Sequence, residues 1–394
     1  MQTQDNEIVD YLDYAGIPYE RQGNYVTPTA HDSMKIDLRK GYFTQYSTGA
    51  WGDLVAFVKT YEDGVYEPAK STKEAFQRVN EFRAAVGRGD AVPHQFAVEP
   101  ARQFNLADYQ YQQDPEAVYT YLCGERQLAR PLVEQLVAAD LVREIKAPIM
   151  TPTAKKRWEN EHPGEHVNGR IVRQLLAEHK LAEHDYFYGH EVMFAWKDQT
   201  GKIVGADRQG TYQNKAKFGK RGTSKLIVPG SATNFGWHFR NSNQQPDTMV
   251  ITEAPIDTMS YFQLHHRDFK GKFVEFCSLS GSESKAKSVS NLMKQLFIDP
   301  GYGRPKEVHF AVDNDRAGHG LVQKFIDVGW DQLKPETMKV MVDVPKVGKD
   351  WNDQVKAGVA GKEVLTLKQF EQRFKPEKQP KLSRTQQLSK TQER

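Results

Sequence analysis

The sequence predicts an α/β fold with a compact, mostly parallel sheet in its C-terminal third, and three observations carry that prediction. Short apolar runs rich in β-branched residues stand at 248–252 and 307–312, as expected of strands covered by helices on both faces. Each leads into acidic residues, Glu253 in the first case and Asp313 with Asp315 in the second. Helical patterns follow at 256–264 and 317–328, so strand, carboxylate and helix recur in one order.

Two further strands complete the expected sheet. Residues 273–277 lead through Ser278-Leu279-Ser280-Gly281-Ser282 into a helix at 283–297, and residues 338–344 precede Gly348-Lys349-Asp350. Carboxylates at the C-terminal ends of neighbouring parallel strands converge on one sheet edge, where hard divalent cations take oxygen ligands. Glu253, Asp313, Asp315, Asp350 and Asp353 are therefore the candidate site. Phosphoryl transfer needs its developing charge neutralised and its nucleophile aligned, and metal ions held by carboxylates do both. Asp257 is expected to cap or orient the helix that follows Glu253.

The segments Ile251-Thr252-Glu253-Ala254-Pro255-Ile256-Asp257, Asp313-Asn314-Asp315-Arg316-Ala317-Gly318 and Gly348-Lys349-Asp350-Trp351-Asn352-Asp353 resemble the Toprim domain shared by bacterial-type primases, topoisomerases and some nucleases. Within that superfamily they are most similar to the primase branch, and to the primase-like Toprim proteins of plasmids and other mobile elements of Gram-positive bacteria. The resemblance covers residues 248–357 and extends more loosely over 185–247. It implies a Rossmann-like, mostly parallel four-stranded Toprim catalytic domain at 246–358. In it Asp313 and Asp315 would hold Mg2+ or Mn2+, Asp350 would join them, and Glu253 would be a further ligand or a general acid/base. The primase pattern places a second acid two residues after the first in the last motif. Here that position is Asn352, whose carbonyl can ligate Mg2+ but brings no charge, and the acid is Asp353.

Upstream, no acidic residue occurs between Asp207 and Asp247, whereas Arg208, Lys215, Lys217, Lys220, Arg221, Lys225 and Arg240 are basic. Tyr212, Phe218, Phe235, Trp237 and Phe239 are interleaved with them. Cations neutralise phosphates and aromatic faces stack on unpaired bases, so this segment is the candidate nucleic-acid surface, against the plainer reading of a solvated basic loop. Runs at 192–196 and 202–206 around Lys197-Asp198-Gln199-Thr200-Gly201 signal a hairpin. Hairpin and basic segment resemble the primase subdomain that precedes Toprim. The resemblance implies that Arg208, Lys215, Lys217, Lys220, Arg221 and Lys225 meet template and nucleoside triphosphate.

The N-terminal region, 1–90, reads as two short strands around Arg39-Lys40-Gly41, a helix beginning near Trp51, and a capping box Ser71-Thr72-Lys73-Glu74 opening another helix. It resembles the zinc-binding, zinc-ribbon-like α+β module that begins many primases, but it contains no cysteine, and His31 alone cannot build a tetrahedral site. No zinc is expected. Either a metal-free relic touches DNA through Lys35, Arg39, Lys40, Tyr42, Phe43, Tyr46 and Trp51, or this is an ordinary packed α/β module. A linker is expected at 91–104 and a helical plus α+β, primase-like subdomain at 105–245, with helices near 116–122, from Pro131, and at 170–181. A C-terminal helix at 359–374 and a disordered basic tail at 375–394 complete the reading.

A chain of 394 residues with a net charge of +3 allows two or three domains and confines any nucleic-acid surface to a local patch. Cys123 and Cys277 in apolar settings point to buried thiols in a reducing, cytoplasmic compartment. No signal peptide, bilayer-length apolar run or phosphate-binding loop is read, so no membrane contact is expected and any helicase or relaxase would be a separate partner. The sequence thus points to a primase-like nucleotidyl transferase acting on single-stranded DNA with divalent metal, in replication or transfer of a mobile element. A Toprim nuclease cutting DNA, or a catalytically decayed DNA-binding accessory protein, are the alternatives; a topoisomerase would need large additional domains for its nucleophilic Tyr.

Overall fold

The structure is a computed structural model that describes residues 2–98, 103–162, 167, 169–212, 222–281, 285–297, 305–334 and 336–374. It divides into two compact units, Met1–Arg102 and Gln103–Arg394.

In the first unit, β1 (Gln2–Asp5) pairs antiparallel with β7 (Gln95–Val98), so part of the stretch read as linker is a strand. Between them, β2 (Tyr19–Gln22), β3 (Tyr25–Pro28), β4 (Met34–Asp37), β5 (Tyr42–Gln45) and β6 (Ala50–Gly52) form a five-stranded antiparallel meander. Its inner face carries Val26, Ile36 and Phe43 against Phe57 and Val58 of the helix Leu54–Thr60 and Val79 and Phe82 of the helix Thr72–Arg88. Asp53 and Ser71 cap these helices by accepting from Ala56 N at 3.0 Å and Glu74 N at 3.1 Å. The Glu74 carboxylate returns to Lys70 N at 2.9 Å, one residue before the cap. Of the aromatics named for DNA contact, Tyr42, Tyr46 and Trp51 are exposed, but Phe43 is fully buried and belongs to the core. Lys35 donates to Thr27 Oγ1 at 2.8 Å and Arg39 is paired with Asp37.

The second unit contains two sheets. The antiparallel one orders β12 (Lys225–Ile227), β11 (Ile203–Gly210), β10 (Tyr186–Lys197), β9 (Val142–Met150) and β8 (Gln110–Gln112). The other orders β13 (His238–Arg240), β15 (Val274–Ser278), β14 (Thr248–Thr252), β16 (Glu307–Phe310), β17 (Lys339–Pro345) and β18 (Lys362–Thr366). Strands β15, β14, β16 and β17 are parallel, which is the four-stranded sheet the sequence predicts; β13 and β18 add antiparallel edges that it does not. Residues 362–366, read as helix, are strand β18, and the helix is confined to Leu367–Phe374.

Every residue of β14 and β15 is buried, because helices Pro255–His265, Ala286–Leu296 and Arg316–Asp327 cover the sheet. Met249, Ile251, Phe276, Val308, Phe310 and Val342 lie in one continuous apolar core with Trp237 and Trp351. Burying each such side chain contributes roughly 1.5–3 kcal/mol.

Within this core sits a charged pin. His309 on β16 places Nδ1 3.0 Å from Asp343 Oδ2 on β17, and Lys362 Nζ on β18 lies 2.8 Å from the same oxygen. The Tyr261 hydroxyl, from the covering helix, donates to Asp343 as well. Three strands and a helix are thereby locked in register just beneath the edge where the acids emerge.

Candidate active site

Glu253 follows the last residue of β14, and Asp313 lies three residues beyond β16. The ladder runs on past the strand, with Ala311 N donating to Ile251 O at 2.8 Å, so the two chains leave the sheet side by side. Asp313 N then donates to Glu253 Oε1 at 3.3 Å. Asp315 is the N-cap of helix Arg316–Asp327, its Oδ1 accepting from Ala317 N at 2.9 Å and Gly318 N at 3.0 Å. Asp350 caps the helix Trp351–Lys356, accepting from Asp353 N at 2.7 Å. Asn314 N donates to Lys349 O at 2.8 Å and ties the two capping loops together. The acids of all three predicted segments thus meet at the C-terminal edge of the parallel strands.

The sequence reading missed the cation among them. Lys349 Nζ lies 2.8 Å from Asp315 Oδ2 and 3.2 Å from Asp313 Oδ2. The other Asp313 oxygen, Oδ1, is buried and has no hydrogen-bond partner. The two aspartates therefore differ. Burial and the neighbouring Asp350 and Asp315 raise Asp313 to about 6 despite Lys349. Burial also acts to raise Asp315, but Lys349 and the two helix amides outweigh it and hold that carboxyl below its ordinary range. Glu253 is pushed up to about 7 by burial and by the charges of Asp313 and Asp315.

Asp257 corrects an expectation. The helix Pro255–His265 has Ala254 at its N-cap with no side-chain cap, so Asp257 caps nothing. It is buried, and burial together with Asp313 and Asp350 raises its carboxyl well above the ordinary value. It is a further member of the acid cluster; its place in the first turn of the helix that begins just after Glu253 is the signal the sequence offered.

Two residues of the last motif do other work. Asn352 is buried and donates from Nδ2 to Arg126 O at 2.9 Å and Ser260 Oγ at 3.1 Å, which fastens its helix, while the carbonyl expected to face a metal accepts from Arg126 Nη1 at 3.5 Å. Asp353 is exposed, and its Oδ2 accepts from Lys349 N at 3.2 Å, closing the Gly348-Lys349 turn.

Among the described residues, no three His, Cys, Asp or Glu side chains are gathered closely enough to hold a metal ion as they stand. The donor chemistry nevertheless suits a hard cation: carboxylate oxygens alone, one of them buried without a donor, with three of the carboxyls raised by burial and mutual repulsion that a bound cation would relieve.

The basic segment is rearranged by the structure. Lys215, Lys217, Phe218, Lys220 and Arg221 lie outside the described residues. Arg208 is buried, its Nε 2.6 Å from Glu191 Oε2 and its guanidinium 5.1 Å from the Tyr109 ring centre, so it is no exposed phosphate ligand. Arg240 is paired with Glu275, Nε to Oε2 at 2.5 Å. Phe235, Trp237 and Phe239 are core residues and present no face for a base. Lys225 is half-buried on β12, and its charge acts against the burial that raises Asp207 and Asp257. Asp207 itself was read only as the boundary of the basic segment. It is buried, accepts from Trp196 Nε1 at 2.8 Å and Ser280 Oγ at 2.5 Å, and joins β11 to the loop after β15.

A sheet edge of this topology with these acids defines a class, and residues 250–355 match the family described as Toprim-like. The chain contains a Toprim-like domain within a mixed α/β fold. Over 364 residues it is 26% identical to an uncharacterized Bacillus anthracis protein, pXO2-78, the match spanning 89% of this chain and 86% of that protein. Among solved structures, the primase fragment of the bacteriophage T7 primase-helicase protein is similar over 83% of this chain and 90% of that one, with 16% identity and a TM-score of 0.38. The RNA polymerase domain of Mycobacterium tuberculosis primase DnaG is similar over 68% of this chain and 83% of that one, with 17% identity and a TM-score of 0.39. No helix among the described residues is long and apolar enough to cross a membrane.

Proposed function

We propose that this protein is a primase-like nucleotidyl transferase that acts on single-stranded DNA with a divalent metal, in replication or transfer of a mobile element. The observation that carries the reading is the meeting of Glu253, Asp257, Asp313, Asp315 and Asp350 at one sheet edge of a Toprim-like domain, around a buried Asp313 oxygen without a partner.

Asp313 and Asp315 would hold Mg2+ or Mn2+, with Asp350 and Glu253 completing the oxygen set. Bound there, the ion would neutralise charge developing on the transferred phosphoryl oxygens. The chain's own residues do the rest. The capping bonds of Asp315 and Asp350 fix the direction of their carboxylates, and the Asp313 amide fixes Glu253. Glu253, where it is not a ligand, stands at the strand end to take the proton of an attacking hydroxyl. Lys225 and the basic residues Lys215, Lys217, Lys220 and Arg221 are the candidates for template and triphosphate.

Purified protein incubated with single-stranded DNA, labelled nucleoside triphosphates and Mg2+ or Mn2+ should yield short new oligomers, and Asp313→Ala should abolish them while DNA retention survives. Shortened DNA in place of oligomers would make the protein a nuclease. A second reading, a DNA-binding accessory protein whose site has decayed, is favoured by the engagement of Asn352 and by the absence among the described residues of a ready three-ligand group. Retention of DNA without any conversion would establish it.

A further inference from the structure

Lys349 is fixed by its backbone, and its half-exposed side chain is held, among the described residues, only by the acids it pairs with. Gly348 adopts φ +79°, and a Cβ there would lie 2.4 Å from Asp353 Cβ, so the turn before Lys349 admits only glycine without distortion. Lys349 N donates to Asp353 Oδ2 at 3.2 Å, and its carbonyl accepts from Asn314 N at 2.8 Å. The backbone is thus clamped on both sides. The side chain, 56% exposed, reaches from this clamp across the mouth of the site to Asp313 and Asp315.

Both oxygens it contacts are oxygens a divalent ion needs. An ammonium and a hard dication cannot share them: the ligand spheres overlap, and the like charges repel strongly in a partly buried site. The unpartnered Asp313 Oδ1 lies on the other branch of the same carboxylate, so Lys349 satisfies one side of that group and leaves the buried side open.

We propose that Lys349 is the resident counter-ion of the acid cluster: its ammonium holds Asp313 and Asp315 together in the metal-free protein, competes with the divalent ion for them, and swings out to solvent when the ion is loaded. This rests on the metal reading above, but neither test below reads nucleotide transfer, so failure of the counter-ion role is told apart from failure of the transferase activity.

Mn2+ binding, followed by the loss of the free-ion signal in electron paramagnetic resonance, should tighten about tenfold in Lys349→Met and stay near the native value in Lys349→Arg, which keeps the charge. Equal or weaker binding by Lys349→Met, or an equal gain in Lys349→Arg, would overturn the proposal. The native chain supplies an independent readout that needs no substitution. Brief treatment with an amine-acylating reagent, followed by peptide mass spectrometry, should label Lys349 several-fold more at saturating Mg2+ than in chelator, with the exposed Lys40 unchanged. Labelling of Lys349 that stays level or falls on Mg2+ addition would equally overturn it.

Discussion

The Asp313 amide donates to the Glu253 carboxylate at 3.3 Å, and this one bond joins the ends of two adjacent parallel strands into a single site. Because Asp313 also brings its own charge, Glu253 is a buried acid beside like charges, pushed up to about 7. The folded state therefore binds a proton more readily than the unfolded chain, whose Glu titrates near 4.3. Stability from this group is full below the unfolded value and is lost as pH rises through about 7. In chelator, native protein should lose stability relative to Glu253→Gln between about pH 5 and pH 8, by roughly 1–3 kcal/mol. Urea unfolding of both proteins at the two pH values checks this; a difference independent of pH contradicts it.

Gly318 explains why the second motif ends as it does. A Cβ at this position would lie 2.1 Å from Asp313 O and 2.8 Å from Glu253 Oε1, so no side chain fits between helix and site. Gly318→Ala must push the strand-end loop away from the helix, at a cost of about 1–3 kcal/mol for the overpacking. It should weaken Mn2+ binding more than tenfold while the circular dichroism spectrum stays native. Native metal affinity in a folded Gly318→Ala protein would show that the loop has room to spare.

What could be read from the sequence followed from period and position. The parallel strands announce themselves because burial on both faces leaves continuous apolar runs, and the acids stand at their ends. The edge strands were not legible: β13 is three residues long, and β18, with Val364 and Thr366 exposed, lacks any such run. The helix Pro152–Glu161 was hidden by its polar surface, with Ala154 its one buried residue. Charge composition misled most. Arg208 and Arg240 look like phosphate ligands until Glu191 and Glu275, distant in sequence, arrive to neutralise them. Trp237, set among cations, donates to Leu141 O at 2.9 Å inside the core.

That contrast sets a prediction. Replacing Lys217, Lys220 and Arg221 together by Ala should weaken single-stranded DNA binding and flatten the slope of log affinity against log salt by about 2, at roughly 0.7 per charge removed. Arg208→Ala should leave that slope unchanged and lower stability instead, because it strands the buried Glu191 carboxylate without its partner. Fluorescence anisotropy across a salt series, set beside urea unfolding, separates the two; a flattened slope in Arg208→Ala would return that residue to the nucleic-acid surface.

Asp343 offers the largest stability effect. Its carboxylate is fully buried, and although burial acts to raise it, His309 and Lys362 hold it down at about 2. The sign is opposite to that of Glu253: a depressed acid contributes stability above its unfolded value near 3.9, lost as pH falls through about 2. Asp343→Asn leaves Lys362 and His309 facing a neutral amide in the core, and breaking a buried pair from one side costs about 3–5 kcal/mol. Lys362→Met should recover part of that loss in the double variant, since it removes a buried ammonium whose remaining carboxylate is the half-exposed Asp268 at 3.5 Å and leaves an apolar chain beside Phe269. A double-mutant cycle by urea unfolding measures the coupling. Strictly additive losses would show that the Asp343–Lys362 contact contributes nothing of its own, and that Tyr261 and His309 alone hold the pin in place.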